Sequence, residues 1–311
     1  MVYSLSTTNL IIDKNSIEKN FALLKKAGFG AVDLSFDAIF TRTGGKLKKN
    51  TFEKSKVYEL DDKSFNEYID CIKTSAEKNG IKIGQCHAPF PSYIFNAQQE
   101  TNEYIISIIK RTIAAAGYLG CPYIVIHPIC FPYGSVDTQE KIFNFNVEYY
   151  TQFIDELKKH NVVCCLENMW IEYKNKIMDS TCNDFQEVNR YIEVLNEKAG
   201  GEYFGFCLDT GHAVLTSANL RFAIRTLGKN LKALHLHEVD GTKDNHTMPF
   251  TLGAVDWDLI MSELKANNYS GTLNFEAFNS WLMFPEELWE SAIKMLGDIA
   301  KYFTDKYFHD C

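Results

Sequence analysis

One short stretch shows the pattern on which the fold prediction rests. Residues 203–212 read Tyr203-Phe-Gly-Phe-Cys-Leu-Asp209-Thr-Gly-His212, an apolar run that ends in an acidic residue and is followed by turn residues. A short, aromatic-rich apolar run bounded in this way is typical of a buried strand. An amphipathic segment follows at about 217–228, so the stretch predicts one strand–helix unit.

The same unit recurs along the whole chain. Strands are predicted at about 2–6, 30–36, 81–87, 122–127, 161–167, 203–208, 231–237 and 271–276. Helices are predicted at about 15–27, 63–79, 98–119, 139–159, 183–198, 217–228, 256–267 and 285–303. Eight such units are what a closed parallel barrel requires, whereas a doubly wound sheet would carry a glycine-rich phosphate turn, which this sequence lacks. We therefore predict an α/β protein, a single (β/α)8 TIM barrel domain over residues 1–311, with 37–62 as an elaborated loop over its mouth.

The composition argues against several classes of protein. The net charge of −8 repels phosphate backbones, which argues against nucleic acid as a partner. The nine cysteines include no CxxC pair and several lie in apolar runs, so we predict reduced, buried thiols in a cytoplasmic protein. No apolar stretch approaches the roughly 20 residues that span a bilayer, and the N-terminus lacks the features of a secretion signal. Neither membrane insertion nor secretion is expected.

Titratable side chains collect at the carboxyl ends of the predicted strands and in the loops just beyond them. They are His87, His127, Glu167, Asp209, His212, His235, His237, Asp244, His246 and Glu276. The carboxyl ends of the strands form the face on which barrel enzymes place their sites. Each residue alone is more often a hydrogen-bonded loop residue, but their agreement across consecutive strands favours one site. Carboxylates and imidazoles that converge there suit one divalent ion: Mn²⁺, Mg²⁺, Co²⁺ or Zn²⁺.

Several of these segments resemble the xylose isomerase-like barrel superfamily. It contains sugar and sugar-phosphate isomerases, epimerases and inosose dehydratases, with metal-dependent apurinic endonucleases as a sister branch. The most specific matches are Leu166-Glu167-Asn168, Cys207-Leu-Asp209-Thr-Gly-His212 and Leu234-His235-Leu-His-Glu238. The others, in the family's order along the chain, are Gly30-Ala-Val-Asp33-Leu, Cys86-His87-Ala-Pro89, Val125-Ile-His127-Pro128, Asp244-Asn-His246, Gly253-Ala-Val-Asp256-Trp257 and Phe275-Glu276.

The resemblance implies a role for each polar residue of the mouth. The metal ligands that it implies are Glu167, Asp209, His235 and Glu276. Glu167 and Glu276 are also the implied acid and base. The residues expected to bind substrate are the other histidines of the mouth: His87, His127, His212, His237 and His246. His237 stays open as an alternative ligand, because the family spacing of a histidine and a following acidic residue fits His235 with Glu238 and, less well, His237 with Asp240.

The resemblance implies a metal-dependent isomerase or epimerase of a sugar, sugar phosphate or cyclitol, acting by proton transfer through an enediolate. The expected partner is a small carbohydrate. Phe90, Trp170 and Trp281 are candidates to pack on its carbon skeleton, and each could equally be a core or rim residue; a homo-oligomer is compatible with the sequence. Gly241 stands where ketose epimerases carry an arginine, so ketose 3-epimerase specificity is not supported. No basic cluster follows the last two strands, so a phosphorylated substrate is not supported either.

Two alternative activities belong to the same superfamily. One is an inosose dehydratase-type lyase. The other is a trinuclear-zinc, apurinic endonuclease-type phosphodiesterase, whose extra ligand positions match His87, His127, His212, Asp244 and His246. Against the second stand the acidic net charge and the segment Met169-Trp170-Ile171, which would crowd a groove for a duplex.

Overall fold

Eight parallel strands form a ring in the computed structural model, which describes residues 1–10, 14–43, 46–49 and 53–308. In chain order they are β1 (Tyr3–Ser6), β2 (Ala31–Ser35), β3 (Lys82–His87), β4 (Tyr123–Val125), β5 (Val163–Glu167), β6 (Phe204–Asp209), β7 (Leu231–His235) and β8 (Leu273–Phe275). Each lies within or overlaps its predicted segment. Between β3 and β7 they are rich in Ile, Val, Leu, Phe and Cys, as expected for strands covered on both faces.

The strands follow the order β7-β6-β5-β4-β3-β2-β1-β8 around the ring. The register aligns the functional ends: Asp209 pairs with His235, and Cys207 pairs with Glu167. The ring closes between β7 and β8 through one parallel bridge, Leu236 with Phe275, beside which the Leu236 amide donates to the Asn274 carbonyl. The predicted (β/α)8 barrel is confirmed.

Helices connect the strands on the outside of the ring. They are α1 (Lys14–Ala27), α2 (Asp62–Asn79), α3 (Gln99–Tyr118), α4 (Gln139–Thr151), α5 (Ile154–His160), α6 (Phe185–Ala199), α7 (Thr210–Leu215), α8 (Leu220–Leu227), α9 (Trp257–Ala266), α10 (Asn279–Leu282) and α11 (Trp289–Tyr307). Side-chain caps set several of the starts: Asp61, Asp184 and Asp256 each accept a hydrogen bond from an amide of the first turn.

The prediction of one helix over 139–159 was wrong, because the chain breaks it between α4 and α5. The Gln152 and Phe153 amides donate to carbonyls only three residues back, those of Tyr149 and Tyr150. This tighter turn buries Phe153 completely in the main core. Packing of one large ring against the barrel therefore outweighs the continuity of the helix.

Two antiparallel hairpins extend from the carboxyl ends of strands and so stand at the mouth of the barrel. The first joins Phe40–Thr43 to Lys46–Lys49 and is followed by a 3-10 helix, Glu53–Glu59, within the predicted loop 37–62. Residues 44, 45 and 50–52 of that loop lie outside the described residues. The second hairpin joins Trp170–Tyr173 to Lys176–Asp179, a segment that we had not predicted as strand.

The main apolar core lies between the ring and its helices, while Val125, Cys165, Cys207 and Ala233 form a small separate cluster. The cysteines of the described residues are free thiols, and six of them are buried. Burial raises the pKa of Cys207, which keeps this thiol protonated. Among the helices described, none combines the length and the apolar character needed to cross a membrane.

Candidate active site

The floor of the mouth is built from strand ends. Glu167, Asp209 and His235 are the last residues of β5, β6 and β7, and Glu276 directly follows β8. The first three side chains are at most 1% exposed, whereas that of Glu276 is 12% exposed. Parallel strands end at one level, so the barrel itself brings these side chains together.

These four residues form what we call the central cluster. His235 Nδ1 lies 3.0 Å from Glu167 Oε1, 3.4 Å from Glu276 Oε2 and 3.9 Å from Asp209 Oδ2. One ligand atom from each residue lies within 4.8 Å of all the others. Three carboxylates and one imidazole in that volume match the mixed oxygen and nitrogen shell that divalent cations prefer.

A second group, the His87 cluster, consists of His87, His127 and Glu167. His87 is the last residue of β3, and His127 lies just beyond β4. The two Nε2 atoms are 2.9 Å apart, and His127 Nε2 is 3.2 Å from Glu167 Oε2. Glu167 therefore belongs to two adjacent clusters, with one carboxylate oxygen turned toward each.

A third group, the His246 cluster, consists of His212, His237, Asp244 and His246. Asp244 Oδ2 lies 3.2 Å from His212 Nε2 and 3.1 Å from His246 Nε2. His237 Nε2 lies 3.0 Å from both carboxylate oxygens of Asp209, so it joins this group to the central cluster. The rings of His237 and His246 stack with centroids 4.1 Å apart.

Backbone contacts orient the imidazoles. The Nδ1 atoms of His87, His212 and His246 lie 2.7, 2.9 and 3.0 Å from the carbonyl oxygens of Ala88, Asn168 and Glu276. A carbonyl can only accept, so each Nδ1 carries the hydrogen and each neutral ring presents its Nε2 lone pair to the site. Nε2 is the atom that a metal ligand of this orientation would use.

Two motif residues hold this geometry without entering it. The Asn168 side chain donates to the Asp209 carbonyl and accepts from the Asp209 amide, both at 2.9 Å, and so ties β5 to β6. Gly211 leaves room for the ring of His237, because a Cβ at Gly211 would lie 2.0 Å from its Cε1 atom. The Leu-Glu-Asn and Leu-Asp-Thr-Gly-His segments thus have a physical explanation.

The electrostatics show how tightly opposite charges are balanced. Burial alone would raise the pKa of Glu167, but His235 and His127 outweigh burial and hold that pKa well below its ordinary value. Burial would lower the pKa of His246, but Asp244 overrides it and raises that pKa to about 9. His127 is the exception, because burial lowers its pKa. Without a metal, protons on imidazoles supply the positive charge that the carboxylates demand.

The residues present fit a divalent cation. Glu167 Oε2 and Asp244 Oδ1 are buried, and neither has a hydrogen-bond partner within the part of the chain that the structure describes. Neutral His212 directs a lone pair at the carboxylate of Asp244, an arrangement that needs a proton or a cation between the two atoms. The central cluster is the group whose donor set a metal suits best, and the other two clusters could hold further ions.

The sequence matches the model of the xylose isomerase-like TIM barrel family over residues 21–299. The chain belongs to this family. Its relatives include the protein y4fM of Sinorhizobium fredii, 29% identical over 173 residues, or 55% of this chain and 52% of that protein. A probable endonuclease 4 of Mycoplasmopsis agalactiae is 25% identical over 203 residues, 62% of this chain and 66% of that protein. The matched regions thus span about half and just under two thirds of these relatives.

Solved structures of similar fold include several sugar epimerases. A D-tagatose 3-epimerase-like protein superposes with a TM-score of 0.72 at 16% identity and covers 100% of this chain and 99% of its own. The IolI protein with a bound zinc atom gives 0.68 at 18% identity, over 99% of this chain and 100% of its own. At these identities the similarity shows that the chain and these proteins share the barrel fold.

The structure brings together the ten titratable residues that were predicted for the site. His235, not His237, lies among Glu167, Asp209 and Glu276, while His237 faces Asp209 from the other side. The metal and catalytic roles of these residues remain predictions. Of the two alternatives left open for Trp281, the structure shows the core position: its side chain is completely buried, because the short helix α10 turns the ring inward.

An aromatic cleft of about 880 Å³ leads from His127 to the rim of the mouth. Its walls include Phe90, which stacks on His127 at 5.8 Å, and Trp170 of the second hairpin. At the rim, Tyr133 and Tyr173 stack on each other with centroids 4.4 Å apart. The described residues that line the cleft include no lysine or arginine.

Three residues that matter to the site were missing from the predictions of function. Asn168 bridges β5 and β6, as described above. Asp33 lies buried beneath His235, and the buried Glu238 accepts four hydrogen bonds from the segment 250–257. Each is a polar residue inside or beside an apolar run, a signal that marks a buried partner without identifying it.

Proposed function

We propose that the protein is a divalent-metal-dependent isomerase or epimerase of an uncharged sugar or cyclitol. One observation carries the proposal: two carboxylates, one that ends β5 and one that directly follows β8, both contact His235 Nδ1, at 3.0 and 3.4 Å, on the floor of the barrel mouth. Isomerases and epimerases need one group to remove a proton and one to return it.

The central cluster would hold the cation, with Glu167, Asp209, His235 and Glu276 as ligands. When bound, a divalent cation supplies Lewis acidity to the carbonyl of a substrate. Glu167 and Glu276 would transfer the proton at the neighbouring carbon through an enediolate: one removes it, and the other returns it to the opposite face or to the adjacent carbon. His87 and His127 lie beside Glu167 and would form hydrogen bonds with substrate hydroxyls.

The aromatic cleft supports an uncharged substrate. Phe90 and Trp170 offer apolar surface to the C–H faces of a carbon skeleton, and both are partly exposed. A phosphate group would require cationic partners or a helix N-terminus, and the lining residues that the structure describes contain no lysine or arginine. The only carboxylate among them, Glu172, would further disfavour an anion.

Deuterium incorporation tests the proton transfer. The metal-loaded enzyme would be incubated with a panel of free ketoses, aldoses and inososes in D₂O with Mn²⁺, and the products analysed by NMR. Carboxylates at an accessible mouth exchange their proton with water, so we expect deuterium at the carbon next to the carbonyl. Turnover without deuterium would indicate a hydride shift and would exclude the two-glutamate proton transfer.

A second candidate function is phosphodiester cleavage at abasic sites in DNA. The specific observation in its favour is that the His87 and His246 clusters both adjoin the central cluster, so the mouth offers ligands for three ions. The similarity to a probable endonuclease 4 points the same way. Two observations stand against it. The second hairpin stands at the mouth, with the ring centroids of Trp170 and His212 6.4 Å apart, and would crowd a DNA duplex. The net charge of −8 would repel the phosphate backbone.

Two measurements separate the candidates. Elemental analysis of the purified protein should give about one Mn, Mg, Co or Zn per chain for the sugar chemistry and near three Zn for phosphodiester cleavage. An assay on DNA with an abasic site, run with Zn²⁺ beside the sugar panel, is expected to show no nicking. Efficient cleavage without any sugar turnover would overturn the proposed function.

A further inference from the structure

A polar layer lies directly beneath the central cluster, inside the barrel. Barrel interiors are ordinarily filled by branched apolar side chains. Here Ser4 of β1, Asp33 of β2, Gln85 of β3 and Asn274 of β8 point inward and are each at most 1% exposed. A buried carboxylate is costly unless it is paired, so Asp33 in this layer calls for an explanation.

Neutral amide groups satisfy only part of the hydrogen-bonding capacity of the Asp33 carboxylate. The Asn274 and Gln85 side chains donate to Asp33 Oδ2 at 3.0 and 3.2 Å. Ser4 supports Asn274 from the far side, by donating to its Oδ1 at 2.9 Å. Asp33 Oδ1 has no hydrogen-bond partner among the described residues. Two hydrogen bonds from neutral amide groups do not neutralise a buried negative charge, so Asp33 also needs a positive or strongly polarised partner.

Among the described residues, His235 supplies the cationic group that lies within ion-pair distance of Asp33. Its Nε2 is 3.4 Å from Asp33 Oδ2, without the geometry of a hydrogen bond, and the same ring directs Nδ1 at Glu167 Oε1, 3.0 Å away. A neutral imidazole carries one hydrogen, on one of its two nitrogens. A cation in the central cluster would take the Nδ1 lone pair and leave the hydrogen to Nε2. The carboxylate behind Nε2 favours this tautomer, because the opposite one would place the Nε2 lone pair against a negative charge.

We propose that Asp33 is a positioning residue, which sets His235 in the Nε2–H tautomer and so makes Nδ1 a metal ligand. Histidine ligands commonly donate their other ring hydrogen to a carboxylate, which fixes the ring and raises its basicity. His237 lacks such support, because no carboxylate among the described residues lies within 4 Å of its Nδ1, and its Nε2 faces Asp209 directly. The two histidines of this segment therefore have different roles.

Metal affinity tests this inference in the full-length protein. Asp33→Asn keeps the size of the side chain and an oxygen acceptor but removes the negative charge. We expect the variant to bind Zn²⁺ about 10–100-fold more weakly than the wild type in a chelator competition. Ser4→Ala is the matched control: it changes the same polar layer without contacting His235, so its affinity should stay within about 2-fold of the wild type.

A second measurement does not depend on any variant. In the zinc-loaded wild type, ¹⁵N NMR of the His235 ring should show hydrogen on Nε2 and the metal on Nδ1. Hydrogen on Nδ1 would overturn the inference even if Asp33→Asn failed to fold, and so would equal zinc affinity in Asp33→Asn and wild type. The inference about Asp33 rests on the metal site alone. Zinc binding without any sugar turnover would contradict the proposed function but would leave the role of Asp33 intact.

Discussion

Replacement of Glu238 by glutamine should lower the free energy of unfolding, because Glu238 anchors the segment 250–257 beside the site. Glu238 follows β7, is completely buried, and accepts four hydrogen bonds, two on each carboxylate oxygen. Oε1 accepts from the Ala254 and Val255 amides at 3.1 and 2.9 Å. Oε2 accepts from the Phe250 amide at 3.1 Å and from Trp257 Nε1 at 2.8 Å.

The magnitude follows from this geometry. Glutamine keeps the size of the side chain, but its NH₂ group would face two donors, so two of the four hydrogen bonds are lost. Hydrogen bonds to charged groups are worth roughly 1.5–3 kcal/mol each, so we expect the free energy of unfolding to fall by about 3–6 kcal/mol. An unfolding entropy of about 2.1 cal/mol/K per residue over this chain converts that loss into a Tm lower by roughly 5–9 °C.

Differential scanning calorimetry on metal-free Glu238→Gln measures the change. The control is Glu202→Gln, an exposed glutamate whose nearest cation, Lys229, is 3.8 Å away; its Tm should stay within about 1 °C of the wild type. Hydrogen exchange should also accelerate at the amides of Phe250, Ala254 and Val255. A fall in Tm of less than about 2 °C would show that the carboxylate is not the anchor of this segment.

Four further outcomes are expected. Glu167→Gln and Glu276→Gln should each lower kcat by at least about 100-fold with an unchanged circular dichroism spectrum, and more than a tenth of the activity would exclude an acid or base role. His235→Ala should lose most of its metal affinity in a titration while His237→Ala keeps it; the reverse order would reassign the ligand. Chelation with EDTA should stop catalysis and leave the barrel folded, with a lower Tm than the loaded form, because a core of this size does not depend on a metal; loss of the fold would indicate a structural ion. In the metal-free protein, the pKa of His246 is raised to about 9, so its contribution to stability is complete below about pH 6.5 and is lost as the pH rises through 9; Tm measured against pH in EDTA should fall over that window in wild type and much less in His246→Ala.

The strands and the site floor could be predicted from the sequence because both follow from local patterns. Apolar runs ended by turn residues locate the strands, and the residue that ends each run must lie at the mouth. The second hairpin escaped prediction because its turn residues, Lys174 and Asn175, both adopt positive φ, at 50° and 58°, without the glycine that usually announces such a turn. The residues themselves carried only a weak signal.

The supporting residues could not be assigned, for a different reason. Asp33 is visible in the sequence as one acidic residue in an apolar strand, but its partners Gln85 and Asn274 come from β3 and β8. Glu238 likewise depends on a segment that folds back over it. The difference between His235 and His237 also needed three dimensions, because it lies in which carboxylates face each ring.

The single bridge between β7 and β8 has a consequence for biosynthesis. β8 pairs with β1 on one side and meets β7 on the other, so the last strand to leave the ribosome joins the first strand made. Until then a nascent chain exposes two open strand edges, which are sites of misassembly. It also carries Glu167, Asp209 and His235 without Glu276. If these four residues bind the proposed metal, completion of the ligand set coincides with closure of the ring, and a cation would bind only the finished barrel.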